Sequence, residues 1–454
     1  MTSPQTSLRG HADFQRLWTG LAISQLGSAV GMVALPVIAV TVVEASAFQV
    51  ALLSALTAIT TALLAFPLGD HVEFRRKRPV MIGADVIRFA CLAGVPAAAA
   101  LGLLTFTQLG VIAVVNAACQ IAFAAAAQAH LKALVPAEQL IEANSRLEST
   151  RWLGVSAGPS LGGALIGLLT AVGSLIIDAL SFLASAAAVK TLRTPEPPPP
   201  VRDERSSRRA ELFAGWRFAR GHPTLRPILT SWVTFAGASS MAASVSAVFY
   251  LRDLRFDAWQ YGLLMGVPSL GGFLGARLAP RLTTRLGAVR ALWWTSLLRG
   301  PWYFLIPAAL PGTPGLLMCG FGFGMVLLFA GAANSTMAGY RQLQTPDHLM
   351  ARVTTLWSFA TTVTQPLFML LGGLVATWAG TRAALFTAAG LMCAAAVLLP
   401  RTGETPGPRP DDETAQSHPA DTPGAGDPTP GDPEPPRPAP PNDTRPGEHP
   451  PSRR

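Results

Sequence analysis

Residues 154–163 read Gly-Val-Ser-Ala-Gly-Pro-Ser-Leu-Gly-Gly and lie inside the apolar segment 149–170. Glycines four positions apart share one face of a helix, so a neighbouring helix can approach that face closely. Pro159 removes a backbone donor and bends the helix. Small residues are common wherever membrane helices pack, but this dense pattern favours a specific helix interface. The segment is therefore predicted to be a closely packed membrane-spanning helix.

The rest of the chain repeats this apolar character. Half of the 454 residues are hydrophobic and only 13% are charged, whereas a soluble chain of this length needs charged surface throughout. A spanning helix requires about 20 mostly apolar residues. We therefore predict an all-α membrane protein with twelve transmembrane helices. These cover residues 17–43, 48–68, 80–106, 109–131, 149–170, 172–189, 225–251, 261–280, 289–310, 315–338, 353–378 and 382–399.

The basic residues predict the orientation of these helices. The net charge is +9, but the arginines lie in loops rather than along one helix face, which argues against a nucleic-acid partner. Alternate loops are rich in arginine and lysine, namely 75–78, 132–151, 190–226, 277–290 and 341–352. Such loops stay in the cytoplasm, so both termini are expected there. The preference for arginine over lysine is typical of GC-rich bacterial genomes, which predicts a multi-pass protein of a bacterial plasma membrane.

The chain also resembles two copies of one unit. Leu68-Gly69 recurs as Leu274-Gly275, each pair before a basic loop, and Pro136 is matched by Pro346. Carriers built from repeats place the substrate at the interface of the two halves. The tail is rich in proline and poor in large apolar residues, which predicts disorder. The predicted parts are a cytoplasmic N-terminus (1–16), an N-terminal six-helix bundle (17–189), a cytoplasmic linker (190–224), a C-terminal six-helix bundle (225–399) and a disordered Pro-rich cytoplasmic tail (400–454).

The pattern of Gly154, Gly158, Pro159, Gly162 and Gly163 resembles the fifth-helix signature of drug/proton antiporters of the major facilitator superfamily. Further stretches resemble the branch that contains macrolide-efflux proteins and the enterobactin exporter. These are Leu134-Val135-Pro136 with Ala143-Asn144, Asp178-Ala179-Leu180-Ser181-Phe182, and Gly215-Trp216-Arg217-Phe218. The resemblance covers nearly residues 8–400 and implies an exporter rather than an importer.

The loop between the second and third helices resembles the loop that closes the cytoplasmic gate in this superfamily. Gly69 begins it, Glu73 stands at the acidic position, and Lys77 and Arg78 end it. The resemblance implies that Glu73 pairs with a basic group in the outward-facing state. Phe74 departs from the usual arginine, so only part of the network is expected. A simpler interpretation is that the basic residues only set the topology.

Four charged residues inside apolar segments are candidates for coupling or substrate binding, because intramembrane charges are costly. Asp85 and Arg88, three positions apart, form either an ion pair that supports the gate or a proton site. Asp178 serves either packing or protonation. Arg299 contacts an anionic substrate group or Asp178, or else a partner on another helix with no role in transport.

Two positions depart from the family pattern that the resemblance implies. Many members of the branch carry an acid after the Leu-Gly of the first helix, but here Ser28 follows Leu26-Gly27. Many antiporters carry an arginine in the fourth helix, where this chain offers Asn116 and Gln120. Proton coupling is therefore expected to use other residues.

We predict a secondary transporter that exports a hydrophobic or amphiphilic small molecule, such as an antibiotic or siderophore, by proton antiport and alternating access. The alternatives are an uptake carrier for a small metabolite and a non-transporting membrane sensor or scaffold. No nucleotide, catalytic or metal motif is found, and the four cysteines are widely separated, so we expect neither an enzyme nor a cofactor. The expected partners are the substrate, protons and the lipid bilayer, with the protein a monomer.

Overall fold

The computed structural model describes residues 11–136, 139–196, 221–345 and 347–400. Throughout these ranges the regular structure is helical, without a strand. The Gly215–Phe218 stretch, most of the predicted linker and nearly all of the predicted tail lie outside the described residues.

The part of the chain before residue 197 forms long helices joined by short turns. The helices are α1 (Ala12–Thr41), α2 (Ala47–Glu73), α3 (Lys77–Ala100), α4 (Phe106–Leu134), α5 (Leu140–Leu169) and α6 (Ala171–Lys190). A single residue, Thr170, separates α5 from α6: its φ of 75° reverses the chain, and its hydroxyl accepts a hydrogen bond from the Gly173 amide at 3.2 Å. The predicted boundary between the fifth and sixth helices is confirmed at this residue.

The part after residue 221 contains more interruptions. Its helices are α7 (Leu225–Val248), which continues as a π-helical turn (Phe249–Asp253), α8 (Ala258–Gly266), α9 (Ser269–Leu286), α10 (Ala288–Arg299), a 3₁₀ turn (Pro301–Phe304), α11 (Leu305–Ala308), α12 (Thr313–Gln344), α13 (Asp347–Ala379) and α14 (Thr381–Val397). The predicted span 261–280 lies within one apolar helical stretch, Ala258–Leu286, but a turn at Pro268 divides that stretch into α8 and α9. The predicted span 289–310 is also divided, where Gly300 and Pro301 end α10.

Several helices extend beyond the predicted spans. Helix α5 begins at Leu140 rather than 149, and Arg146 and Glu142 form an ion pair of 2.6 Å on its polar first turns. Hydropathy detects the apolar layer and not the helix, so polar extensions escape it. Among the described residues, nine helical stretches are long and apolar enough to cross a membrane; Ala157–Leu169 of α5 and Thr381–Val397 are shorter. The number twelve stays a prediction.

The helix packing repeats between the two parts of the chain. Helix α1 packs on α5 and α6, and α7 packs correspondingly on α13 and α14. The indole of Trp18 donates to the Thr150 hydroxyl at 3.0 Å, and that of Trp232 donates to the Thr361 hydroxyl at 3.0 Å. The first bond joins α1 to α5 and the second joins α7 to α13, so the same interaction occurs at matching places.

Candidate functional site

The glycines of the fifth-helix motif lie against α1. A Cβ atom on Gly158 would stand 2.0 Å from Cβ of Ala29, and one on Gly162 would stand 3.0 Å from Cα of Val30. Gly154 is closest to Gln25, where an added Cβ would have an ordinary contact of 3.7 Å. The backbones of α1 and α5 are therefore in close contact; a side chain does not fit at Gly158 without a shift, and one at Gly162 would be tightly packed.

Gly163 faces the second part of the chain instead. Its added Cβ would stand 2.7 Å from Cα of Gly262 in α8, and a Cβ on Gly262 would stand 2.6 Å from the carbonyl oxygen of Pro159. A second close approach joins α2 to α13, where a Cβ on Gly373 would stand 2.7 Å from Cβ of Ala51. We call the Gly163–Gly262 contact the glycine seam.

Arg88 lies at the centre of a buried polar cluster between α1, α3, α4 and α6. Its side chain is 5% exposed, and its Nε donates to Oδ1 of Asn116 at 2.8 Å. A terminal nitrogen donates to the Ser28 hydroxyl at 3.4 Å, and the guanidinium carbon lies 3.7 Å from the ring centroid of Phe182. Ser28 and Asn116 thus hold Arg88 from two helices.

Asp85 and Asp178 lie within electrostatic range of Arg88. They are 0% and 3% exposed, respectively, and neither forms an ion pair within 4 Å among the described residues. Both carboxylate oxygens of Asp85, and Oδ1 of Asp178, are buried without a hydrogen-bond partner. The direct Asp85–Arg88 ion pair considered from the sequence is therefore not formed, since Arg88 donates to Asn116 and Ser28 instead.

Asp178 packs against the first helix. A Cβ on Gly31 would stand 2.1 Å from Oδ2 of Asp178, and one on Gly27 would stand 2.1 Å from the hydroxyl of Ser181. Ser181 was not a candidate in the sequence analysis, although its spacing of three from Asp178 places both on one face of α6. The short segment 27–31 of α1 therefore lies between Asp178 on one side and the motif glycines on the other.

Arg299 lies apart from the acidic residues. It is 2% exposed at the end of α10, its guanidinium carbon lies 3.6 Å from the ring centroid of Phe235 in α7, and its Nε has no hydrogen-bond partner. No ion pair within 4 Å reaches it among the described residues. The considered contact with Asp178 is not present, because Asp178 faces α1 and Arg88.

The predicted gate loop has its basic residues engaged within the first part of the chain. The Lys77 ammonium donates to the carbonyl oxygens of Val72 at 2.9 Å and Glu73 at 2.6 Å, which satisfies the end of α2. Gly69 lies within α2, and an added Cβ there would meet no atom within 4 Å. The Glu73 carboxylate is exposed and has no side-chain hydrogen bond or ion pair in the described part of the chain, so the implied pairing of Glu73 is not formed in this structure.

Arg78 binds the segment Thr191–Glu196, which we call the linker anchor. Its guanidinium donates to the carbonyl oxygens of Leu192, at 2.9 Å, and Thr194. The Glu196 carboxylate accepts from the Lys77 and Arg78 amides at the start of α3. From α1, the Asp13 carboxylate accepts from the Arg193 and Thr194 amides at 2.9 and 2.6 Å. Sequence patterns gave no sign of these contacts, because their partners are more than a hundred residues apart.

Among the described residues, no group of three His, Cys, Asp or Glu side chains could hold a metal ion. Comparison with known families gives a match to the Major Facilitator Superfamily over residues 17–338. The chain belongs to this superfamily. It is therefore a multi-pass membrane transporter and not an enzyme, as the sequence predicted.

The relatives support this assignment. The chain is 28% identical over 369 residues to the multidrug efflux pump Tap of Mycolicibacterium fortuitum, covering 78% of this chain and 87% of that protein. It is similar in fold to a bacterial homologue of the iron transporter ferroportin in an inward-facing state (TM-score 0.67, 17% identity, 87% and 98% of the two chains). A bacterial homologue of the human lysosomal transporter Spinster is equally similar (TM-score 0.67, 16% identity, 87% and 97%).

Proposed function

We propose that this transporter exports a hydrophobic or amphiphilic small molecule from a bacterial cell in exchange for protons. The similarity to a multidrug efflux pump over most of both chains supports export. The motif in α5 supports the same direction, because it resembles the signature of drug/proton antiporters. The substrate class follows from the relative, since no described cavity bears substrate-specific groups.

The observation that carries the proposal is the position of α1 between Asp178 and the α5 motif. Two carboxylates beside one guanidinium leave a negative charge unpaired inside an apolar bundle, and such a charge is costly. When Asp178 binds a proton, that charge is removed where the carboxyl group touches α1 at Gly31. The opposite side of α1 touches Gly158 and Gly162, so a shift of α1 passes directly to α5.

The glycine seam then connects this shift to the second part of the chain. Gly163 of α5 touches Gly262 of α8, so moving α5 opens or closes the contact between the two parts. Arg252 adds a hydrogen bond of 2.8 Å to the carbonyl oxygen of Val40 near the same ends of the helices. If the N-terminus lies in the cytoplasm, these contacts lie on the outer side, and we infer that they close the outer side in an inward-facing form. Opening this side and closing the other constitutes alternating access.

Twelve spanning segments fit this mechanism. We infer that α8 with α9 forms one broken span, that α10 with the 3₁₀ turn and α11 forms another, and that the remaining long helices each form one. The matching packing of α1 on α5 and α7 on α13 supports two six-helix bundles, 17–189 and 225–399, joined by the linker 190–224. Both termini are then cytoplasmic, and a single copy contains the complete pathway.

We retain the gate-loop residues Gly69, Glu73, Lys77 and Arg78 as candidates for the opposite, outward-facing state.

The test is the accumulation of amphiphilic dyes and antibiotics in an efflux-deficient bacterium that expresses the protein. We expect lower accumulation than in cells without it, and a protonophore should abolish the difference. Asp178→Asn should remove the effect, whereas Glu44→Gln, an exposed acidic position, should not. Unchanged accumulation across a broad panel, with the protein present in the membrane, would argue against multidrug export. Higher accumulation would indicate uptake.

A further inference from the structure

A groove of about 670 Å³ lies between the end of α2, the following loop, α3 and α4. Its apolar floor is formed by residues of α3 and α4, among them Gly83, Ile87 and Ala118. Its rim holds His71, Arg75 and Arg76, and none of the lining residues whose side chains the structure describes is acidic. The groove therefore combines a basic rim with an apolar floor.

The four consecutive basic residues of the loop have two different environments. Lys77 and Arg78 point to backbone carbonyl groups of α2 and of the linker anchor. The side chains of Arg75 and Arg76 are exposed and make no hydrogen bond or ion pair with the residues that the structure describes. Lys77 and Arg78 therefore have hydrogen-bond partners within the protein, whereas Arg75 and Arg76 are available at the groove.

The floor of the groove faces the surroundings of the helix bundle. Ile87 is 47% exposed and neighbouring Val86 is 45% exposed, on a helix that is apolar enough to span a membrane. An added Cβ on Gly83 would meet no atom within 4 Å, so open space extends along α3 at this level. An occupant that fits both surfaces has an anionic head and a hydrocarbon chain.

We propose that this groove binds an anionic phospholipid of the leaflet that faces the α2–α3 loop. The phosphate lies between Arg75 and Arg76, and an acyl chain follows α3 past Gly83 and Ile87. Basic pockets between membrane helices bind anionic head groups in this way, and each nearby arginine contributes about 1 kcal/mol. Bound lipid also holds the loop whose next two residues, Lys77 and Arg78, fix α2 and the linker anchor. The proposal does not depend on the direction of transport or on proton coupling.

The experiment is native mass spectrometry of the full-length protein in detergent, titrated with phosphatidylglycerol or phosphatidylcholine of identical acyl chains. We expect tighter binding of phosphatidylglycerol. The double variant Arg75→Gln with Arg76→Gln should weaken it roughly 30-fold, the equivalent of about 1 kcal/mol for each arginine. The matched control is Arg281→Gln with Arg285→Gln, two exposed arginines at the end of α9, which should leave it unchanged.

A second variant tests the acyl-chain part of the site. Gly83→Leu places a side chain in the open space and should reduce binding of both lipids while keeping the charges. Leucine is a better helix former than glycine, so α3 is retained, and unchanged thermal unfolding verifies this. The proposal is overturned if both double variants weaken binding equally, if Gly83→Leu has no effect, or if glycerol phosphate displaces the lipid, since the last result shows a site for free anions.

Discussion

Two buried arginines, Arg88 and Arg299, occupy similar settings with different surroundings. Each is nearly inaccessible, and each guanidinium lies over a phenylalanine ring, at 3.7 Å in the first case and 3.6 Å in the second. Arg88 has two hydrogen-bond acceptors and two carboxylates in range, whereas Arg299 has an unpartnered Nε and no ion pair in the described part of the chain. The comparison separates a half whose buried arginine has two carboxylates in range from a half whose buried arginine has no ion pair among the described residues.

The substrate can provide the missing charge. An isolated buried guanidinium is costly unless a partner neutralises it at some stage of the cycle. We therefore propose Arg299 as a contact for an anionic group of the substrate in a state where the cavity reaches it. The proton site and the substrate contact would then lie in different halves of one carrier.

The largest effect is expected from removing each arginine in turn. Arg88→Gln removes the two hydrogen bonds that the guanidinium donates and leaves two buried carboxylates without a nearby cation; hydrogen bonds of charged groups contribute about 1.5–3 kcal/mol each, so the loss of folding free energy should be about 3–6 kcal/mol. Arg299→Gln removes an unpaired charge together with a ring contact, so its effect should be about 1 kcal/mol or less. Thermal unfolding in detergent measures both. Equal destabilisation by the two substitutions would contradict the distinction between the halves.

A smaller loss of free energy is expected from a substitution at the glycine seam, where the two parts of the chain meet. Gly163→Ala pushes a methyl group against the Gly262 backbone, and overpacking of this kind costs about 1–3 kcal/mol. The conformation in which Gly163 and Gly262 are in contact should therefore become less populated. Its population can be followed by oxidative crosslinking of Gly167→Cys with Trp259→Cys, whose Cβ positions are 3.7 Å apart.

Crosslinking yield should fall with Gly163→Ala but not with Gly83→Ala, because an added Cβ at Gly83 meets no atom. An undiminished yield with Gly163→Ala would mean that the glycine seam does not control closure.

The smallest effect concerns the hydrogen bond that occurs in both parts. Trp18→Phe and Trp232→Phe each remove one bond from an indole to a threonine hydroxyl, worth about 1 kcal/mol. The two substitutions should lower the unfolding temperature by similar amounts, and Trp378→Phe, at a side chain that is 81% exposed, should not. A large difference between the first two would weaken the inference of a duplicated unit.

Hydropathy predicted much of the fold because a helix that crosses the apolar layer of a membrane must itself be apolar. Helix α6 ends at Lys190 and α7 begins at Leu225, and the linker 190–224 stays a prediction because most of it lies outside the described residues. The breaks at Pro268 and Gly300 were not predicted. A proline in an apolar segment does not by itself mark a break, since α3 continues as a helix through Pro96. A membrane helix tolerates proline where neighbouring groups satisfy the freed carbonyl group, and that depends on packing.

The candidate site was predictable residue by residue but not as an arrangement. Asp85, Arg88, Asp178 and Arg299 were recognisable because charges are rare in apolar segments, and all four are buried. Their grouping depends on which helices touch, so the sequence paired Arg88 only with Asp85 and left open whether Arg299 contacts Asp178. The linker anchor was missed for the same reason, since its partners are backbone groups distant in sequence.

The most direct measurement is proton movement driven by substrate in proteoliposomes that contain the purified protein and a pH-sensitive dye. Adding a substrate identified by the accumulation assay should move protons opposite to the substrate. Asp178→Asn should reduce this flux at least tenfold while substrate binding persists, with Glu44→Gln as the control. Proton flux that survives in Asp178→Asn, or substrate transport by the wild-type protein without any proton flux, would contradict the account.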